Sequence, residues 1–158
     1  MHPQDYFYFL AHSALGRYMQ TSQWAFAIVE MVHLLALAAL GGSVLLTDLR
    51  LMGFILKDQS AEMVGRQLGR ILLISLTVMI LSGIGLLSEE AMKCYFSPAF
   101  RWKMALLVAS VIFYFTAHRW AVRRARIRVT RFSERVAALI SMSLWLGVGI
   151  AGRVIGLL

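Results

Sequence analysis

Residues 71–88 read ILLISLTVMILSGIGLLS, a run without one charged side chain. As a helix rising ~1.5 Å per residue, such a run nearly crosses the ~30 Å of hydrocarbon in a bilayer. It shows no alternation of apolar and polar residues, and an open sheet edge cannot face lipid. The stretch is therefore read as a membrane-spanning helix, and three others resemble it. Residues 24–46 hold only Glu30 and His33 as ionisable groups. Residues 102–122 have an uncharged centre from Met104 to Ala117, and residues 136–158 are interrupted only by Arg153. The expected fold is all-α: an integral membrane four-helix bundle with spans near 24–46, 71–88, 102–122 and 136–158.

Composition agrees with lipid as the solvent. Of 158 residues, 59% are apolar and 15% charged, against a usual quarter charged, and the mean hydropathy is +0.71. A water-soluble globule, a disordered tail and a fibrous repeat all fit these values poorly. The one cysteine, Cys94, permits neither an internal disulfide nor a thiolate metal cluster. Residues 1–23 form a separate segment. Tyr6, Phe7, Phe9, Leu10, Ala14, Leu15 and Tyr18 give it a partly helical apolar face, and it lacks the basic start of a cleaved signal peptide. It is expected to be a short amphipathic helix lying on the outer leaflet, ahead of the bundle at 24–158. Residues 51–69 look similarly amphipathic, or simply prolong spans one and two.

The net charge of +8 is unevenly placed. Arg50, Lys57, Arg66 and Arg70 lie between spans one and two. Seven arginines, from Arg119 to Arg135, lie between spans three and four. Both connections share a side, so the positive-inside rule puts them in the cytoplasm and both termini outside. Trp24, Tyr95 and Trp102 then fall at the outer interface and Trp120 at the inner one. The arginine run between two spans is read as a topology determinant that can touch anionic lipid head groups, not as a nucleic-acid site. Small residues at Ser143, Gly147 and Ala151, with Ala38, Gly42, Ala105 and Ala109 on other spans, suggest close helix approach.

Charges inside a membrane call for a partner or a use. Counted from the inner boundary, His33 sits roughly 22 Å up, and Glu30 and Arg153 both roughly 27 Å up. Glu30 and Arg153 are thus expected to meet near the outer face, either as a structural bridge with His33 beside it or as a polar pocket. In the pocket, His33 ligates a haem iron or a metal and Arg153 holds a carboxylate such as a propionate. His12 on the outer helix is a candidate second ligand. His118 lies near the inner end of span three, level with Asp48. It is either satisfied by Asp48 or the backbone, or it is the axial ligand of a second, inner haem. Its height differs from that of His33 by roughly 15 Å, so the two do not grip one iron. His2, next to the amino terminus, offers a copper chelate, although Pro3 removes a backbone nitrogen that some such sites use. Walker, HExxH, GxSxG and CxxCH motifs are absent. The chain reads as an electron carrier or accessory subunit more than as a stand-alone enzyme.

The set Trp24-x5-Glu30-x2-His33, Gly41-Gly42 and Asp48-Leu49-Arg50-Leu51-x-Gly53 resembles a bacterial four-helix inner-membrane family of unknown function. Pro98-Ala99-Phe100-Arg101-x-Lys103, Phe115-x2-His118, Trp145-Leu146-Gly147 and Ala151-Gly152-Arg153 fit the same family. The likeness runs from Trp24 to Leu158, leaving His2 and His12 outside it. It implies a bacterial inner membrane with both termini in the periplasm. More distantly, the His33 span is similar to copper-resistance D-type proteins and membrane b-type cytochromes, which implies a haem-ligating His33 and a respiratory or copper-linked context. Three functions follow as expectations. One is a haem-b protein passing electrons to an outer-side redox or copper partner. The second is a copper-handling membrane protein. The third is a cofactor-free accessory subunit of a larger membrane complex or homo-oligomer.

Overall fold

The computed structural model describes residues 3–89, 91–124 and 132–155. Two short helices, α1 (Pro3–Ala11) and α2 (Ala14–Thr21), precede the first span, α3 (Gln23–Leu51). The second span is α4 (Ala61–Glu89), followed by the short α5 (Ala91–Phe96). The third span runs from Pro98 to Arg124 as α6 (Pro98–Phe113), a π-helical turn (Tyr114–His118) and α7 (Arg119–Arg124). The fourth is α8 (Phe132–Ile155). All four long helices are apolar enough to cross a membrane, and no strand occurs among the described residues. The protein is a multi-pass helical membrane protein.

The N-terminal segment differs from the single helix expected. Ser13 breaks it, because its hydroxyl accepts from the Gly16 amide and starts α2 as an N-cap. Phe7 then packs on Tyr95 of α5, ring centroids 5.3 Å apart, and Gln20 donates to the Glu89 carbonyl at 3.2 Å. These contacts dock α1 and α2 on the end of the bundle that carries α5.

The spans also run further than the apolar windows that announced them. The first two reach 29 residues each, so that the connection between them shrinks to residues 52–60. Helix continues past the hydrocarbon because Arg66 and Arg70 are good helix formers whose charges sit outside it. What stops α3 is Gly53, whose φ of 80° only glycine adopts freely. Phe54 donates to the Leu49 carbonyl and Gly53 to that of Arg50, both at 3.0 Å, a Schellman ending. Arg50 is consequently not a loop charge. It is buried, and its Nε and Nη2 both donate to the Gln59 carbonyl, at 2.7 and 2.5 Å. Lysine carries a single ammonium in place of that fork. Arg50→Lys is expected to lower stability by about 1 kcal/mol, read as the midpoint of thermal unfolding in detergent.

One stripe of each helix faces its neighbours. In α3 it is Ala36, Leu40, Ser43, Val44, Thr47, Asp48 and Leu51, a spacing of three and four. Leu34, Leu35, Leu45 and Leu46 point outward, at no cost where the surroundings are acyl chains. Between the spans, Leu40, Leu72, Leu76, Met79, Tyr114 and Trp145 form the main core. Buried hydroxyls bond back to their own helix: Ser43 to Ala39, Thr47 to Ser43 and Ser110 to Leu106, each at 2.7–2.8 Å. Of the small residues expected at interfaces, Gly147 serves as one. A Cβ there would stand 3.1 Å from Leu106 Cδ1. Ala38, Ala105, Ala109 and Ser143 instead lie on exposed faces, and a Cβ on Gly42 would meet no neighbouring helix within 4 Å among the described residues.

Candidate functional site

The arginine-rich end of the bundle holds a buried polar pair. Asp48 closes the inward stripe of α3, and His118 ends the π-helical turn of the third span. His118 Nε2 donates to Asp48 Oδ1 at 2.8 Å, with both side chains almost wholly buried. The height match read from the sequence, which set His118 level with Asp48, is what the fold builds. With the carboxylate as acceptor, Nε2 carries a proton, and in the neutral ring Nδ1 keeps a lone pair. Among the described residues, that Nδ1 and the second carboxylate oxygen, Oδ2, have no hydrogen-bond partner. Ser141 of α8 flanks the carboxylate and is itself buried. Tyr114 stacks on the imidazole, centroids 5.3 Å apart and planes 26° from parallel. A π-helical turn is rare and concentrates at functional sites. Here its two ends are the two rings that stack.

Beside this pair lies a cavity of about 300 Å³ between α3, α4 and the third span. His118 and Tyr114 line it, and Arg66, Arg70, Arg119 and Arg123 surround it. Helix spacing explains the arrangement, since each arginine pair is four apart and shares a face. Gly65 and Gly69 bring α4 close to the third span. A Cβ on Gly65 would stand 2.6 Å from Val122 Cγ1, and one on Gly69 3.0 Å from the Tyr114 hydroxyl. The sequence carries this signal as Gly65-x3-Gly69 interleaved with Arg66-x3-Arg70, which loop-by-loop charge counting overlooks.

Towards the other end, His33 is half-buried between α3 and α4. Its Nδ1 bonds Ser82 Oγ at 2.9 Å, and the ring lies against Gly83, where a Cβ would stand 3.4 Å from Cε1. Ser82 Oγ in turn donates its one proton to the Val78 carbonyl at 2.7 Å. The hydroxyl therefore accepts from His33, which fixes the proton on Nδ1 and leaves the lone pair on Nε2. The cation acting on His33 is Lys103 of α6, partly buried with its ammonium against Gly152.

Glu30 and Arg153 do not meet. Both side chains are exposed, and no ion pair joins them. Each misses its inward stripe by one residue, about 100° of helix rotation. In α3 the inward set continues through His33 to Val29, which packs on Gly85; in α8 it runs through Trp145 and Val148 to Gly152. The convergence expected of Glu30, His33 and Arg153 is thus replaced by His33 with Ser82 and Lys103. His12 is exposed, stacks on Tyr8 at 4.1 Å and donates from Nδ1 to the Tyr8 carbonyl at 2.9 Å. No hydrogen bond or ring contact joins it to His33 among the described residues. His2 lies outside the described residues. Among the described residues no three His, Cys, Asp or Glu side chains cluster as a metal site.

No curated protein and no solved structure matches the chain. A family of proteins does, and its match begins at residue 6. It therefore takes in most of α1 and all of α2, with His12 between them, as well as the bundle that the sequence resemblance covered. With residues 6–158 matched, the chain belongs to the family of unknown function DUF6644.

Proposed function

We propose that the chain is a haem-b-binding membrane protein that passes electrons, with His33 as the protein ligand. Its support is the Ser82 contact, which orients the imidazole and leaves Nε2 its lone pair. The neighbouring groups fit such a cofactor. Lys103 supplies a cation for a propionate in place of the exposed Arg153, and Gly83 and Gly152 leave the His33 ring and the Lys103 ammonium without a side chain between them and the helix backbone. When bound, a haem supplies one-electron transfer to an outer-side redox or copper partner. His33 is to hold it, Ser82 to keep the ring in register, and Lys103 to balance carboxylate charge. By the positive-inside rule, the arginine-rich end faces the cytoplasm of a bacterial inner membrane, and this site lies in the outer half.

A reduced-minus-oxidised optical spectrum of protein purified from haem-replete cells is the test. Soret and α-band changes are expected, absent in His33→Ala. In Ser82→Ala, haem retention is expected to weaken by ~10-fold or more. A featureless spectrum of the wild-type protein overturns the proposal. A second reading, an accessory subunit without cofactor, is favoured by the outward Glu30 and Arg153, since charges on a membrane-facing surface call for partners. It predicts colourless protein that co-purifies with a larger membrane complex.

A further inference from the structure

We propose that the cavity at the arginine-rich end binds the phosphate head group of an anionic lipid. It is distinct from the His33 site and independent of any haem there. Four arginines line a space of about 300 Å³, with the Arg119 guanidinium 5.8 Å from the Phe115 ring centre; that volume is the lower end of what small-molecule sites occupy and room for a head group without its acyl chains. Against them the lining offers one carboxylate, Glu62, which already pairs with Arg66 at 3.0 Å. Arg70, Arg119 and Arg123 make no ion pair among the described residues. Like charges gathered round one concavity repel, and an anion in it converts that repulsion into attraction. Guanidinium forks also match phosphate oxygens in pairs.

The second observation is independent of charge. His118 lines the same cavity and is 2% exposed, and its Nδ1, itself almost without accessible surface, has no hydrogen-bond partner among the described residues. A buried polar atom left open beside a cavity is explained by a ligand that donates a hydrogen bond. Phosphate diesters have no proton to give, but a hydroxylated head group does. The cavity is lined by the arginine-bearing ends of α4 and the third span, which the positive-inside rule sets at the cytoplasmic interface. Together these features fit a phosphatidylglycerol-type head group, its phosphate among the arginines and a hydroxyl towards His118.

The test is native mass spectrometry of the detergent-purified full chain with phosphatidylglycerol or phosphatidylcholine, followed by competition with glycerol 3-phosphate. Phosphatidylglycerol is expected to bind at least ~10-fold more tightly than phosphatidylcholine. The double variant Arg70→Gln/Arg123→Gln, at exposed positions, is expected to lose at least ~10-fold of that affinity while keeping its melting temperature. Arg124→Gln is the control, because Arg124 stacks on Trp120 at 4.4 Å and does not line the cavity. It is expected to bind as wild type. Displacement by glycerol 3-phosphate at equal concentration assigns the site to free phosphate esters, and its failure to displace assigns it to lipid. Equal binding of the two lipids overturns the proposal. So does an unaffected double variant, or an equal loss in the control, which reports charge attraction to the surface at large.

Discussion

Asp48→Ala is expected to destabilise the bundle by about 3 kcal/mol, the largest effect of any single substitution considered. The carboxylate is fully buried and accepts from His118 Nε2 at 2.8 Å. Without it, both nitrogens of a buried imidazole lack partners, and the exposed surface that water could use is 2% of the residue. The cost is that of the stranded group more than of the lost bond. Asp48→Asn keeps a carbonyl acceptor at the same place and is expected to lose about 1 kcal/mol. His118→Ala in the Asp48→Ala background removes the stranded ring and should recover part of the loss, so that the two substitutions are strongly non-additive. The measurement is fractional unfolding in mixed micelles as the denaturing detergent is raised. A midpoint for Asp48→Ala within error of wild type would show that the pair contributes nothing to the fold.

The second large effect comes from a methyl group added rather than a charge removed. In Gly65→Ala, the new Cβ would stand 2.6 Å from Val122 Cγ1, closer than real carbons approach. Val122 is buried and β-branched, so its χ1 has little freedom to yield. Overpacking of this kind costs ~1–3 kcal/mol, against ~1 kcal/mol that alanine gains over glycine as a helix former. A net loss of up to about 2 kcal/mol is expected. Gly69→Ala is the internal comparison. Its Cβ would meet only the far end of the Tyr114 side chain, at 3.0 Å, so the propensity gain should nearly offset the crowding. Val122→Ala should rescue Gly65→Ala while being destabilising by itself. Equal midpoints for the two glycine variants in the same titration would refute the close approach of α4 to the third span.

The class of fold was legible in the sequence because lipid imposes a one-dimensional rule: a helix that crosses hydrocarbon must be apolar along its whole length. Four such runs suffice for four spans, and the heights of Asp48 and His118 follow from a fixed rise per residue. Rotation about each helix axis was not legible in the same way. In a soluble helix the polar face reveals the inward one, whereas α3 is apolar nearly all round and its orientation leaves little trace in residue type. Glu30 and Arg153 show the consequence. Each stands about 100° of helix rotation off its inward stripe, and that angle separates a buried bridge from two exposed charges. Only the packing of α4 and α8 against α3 decided which residues turn inward. Ser82 meets His33, Gly152 meets Lys103, and four arginines from two helices come to surround one cavity, because side-chain volumes between helices select a rotation that hydropathy leaves undetermined.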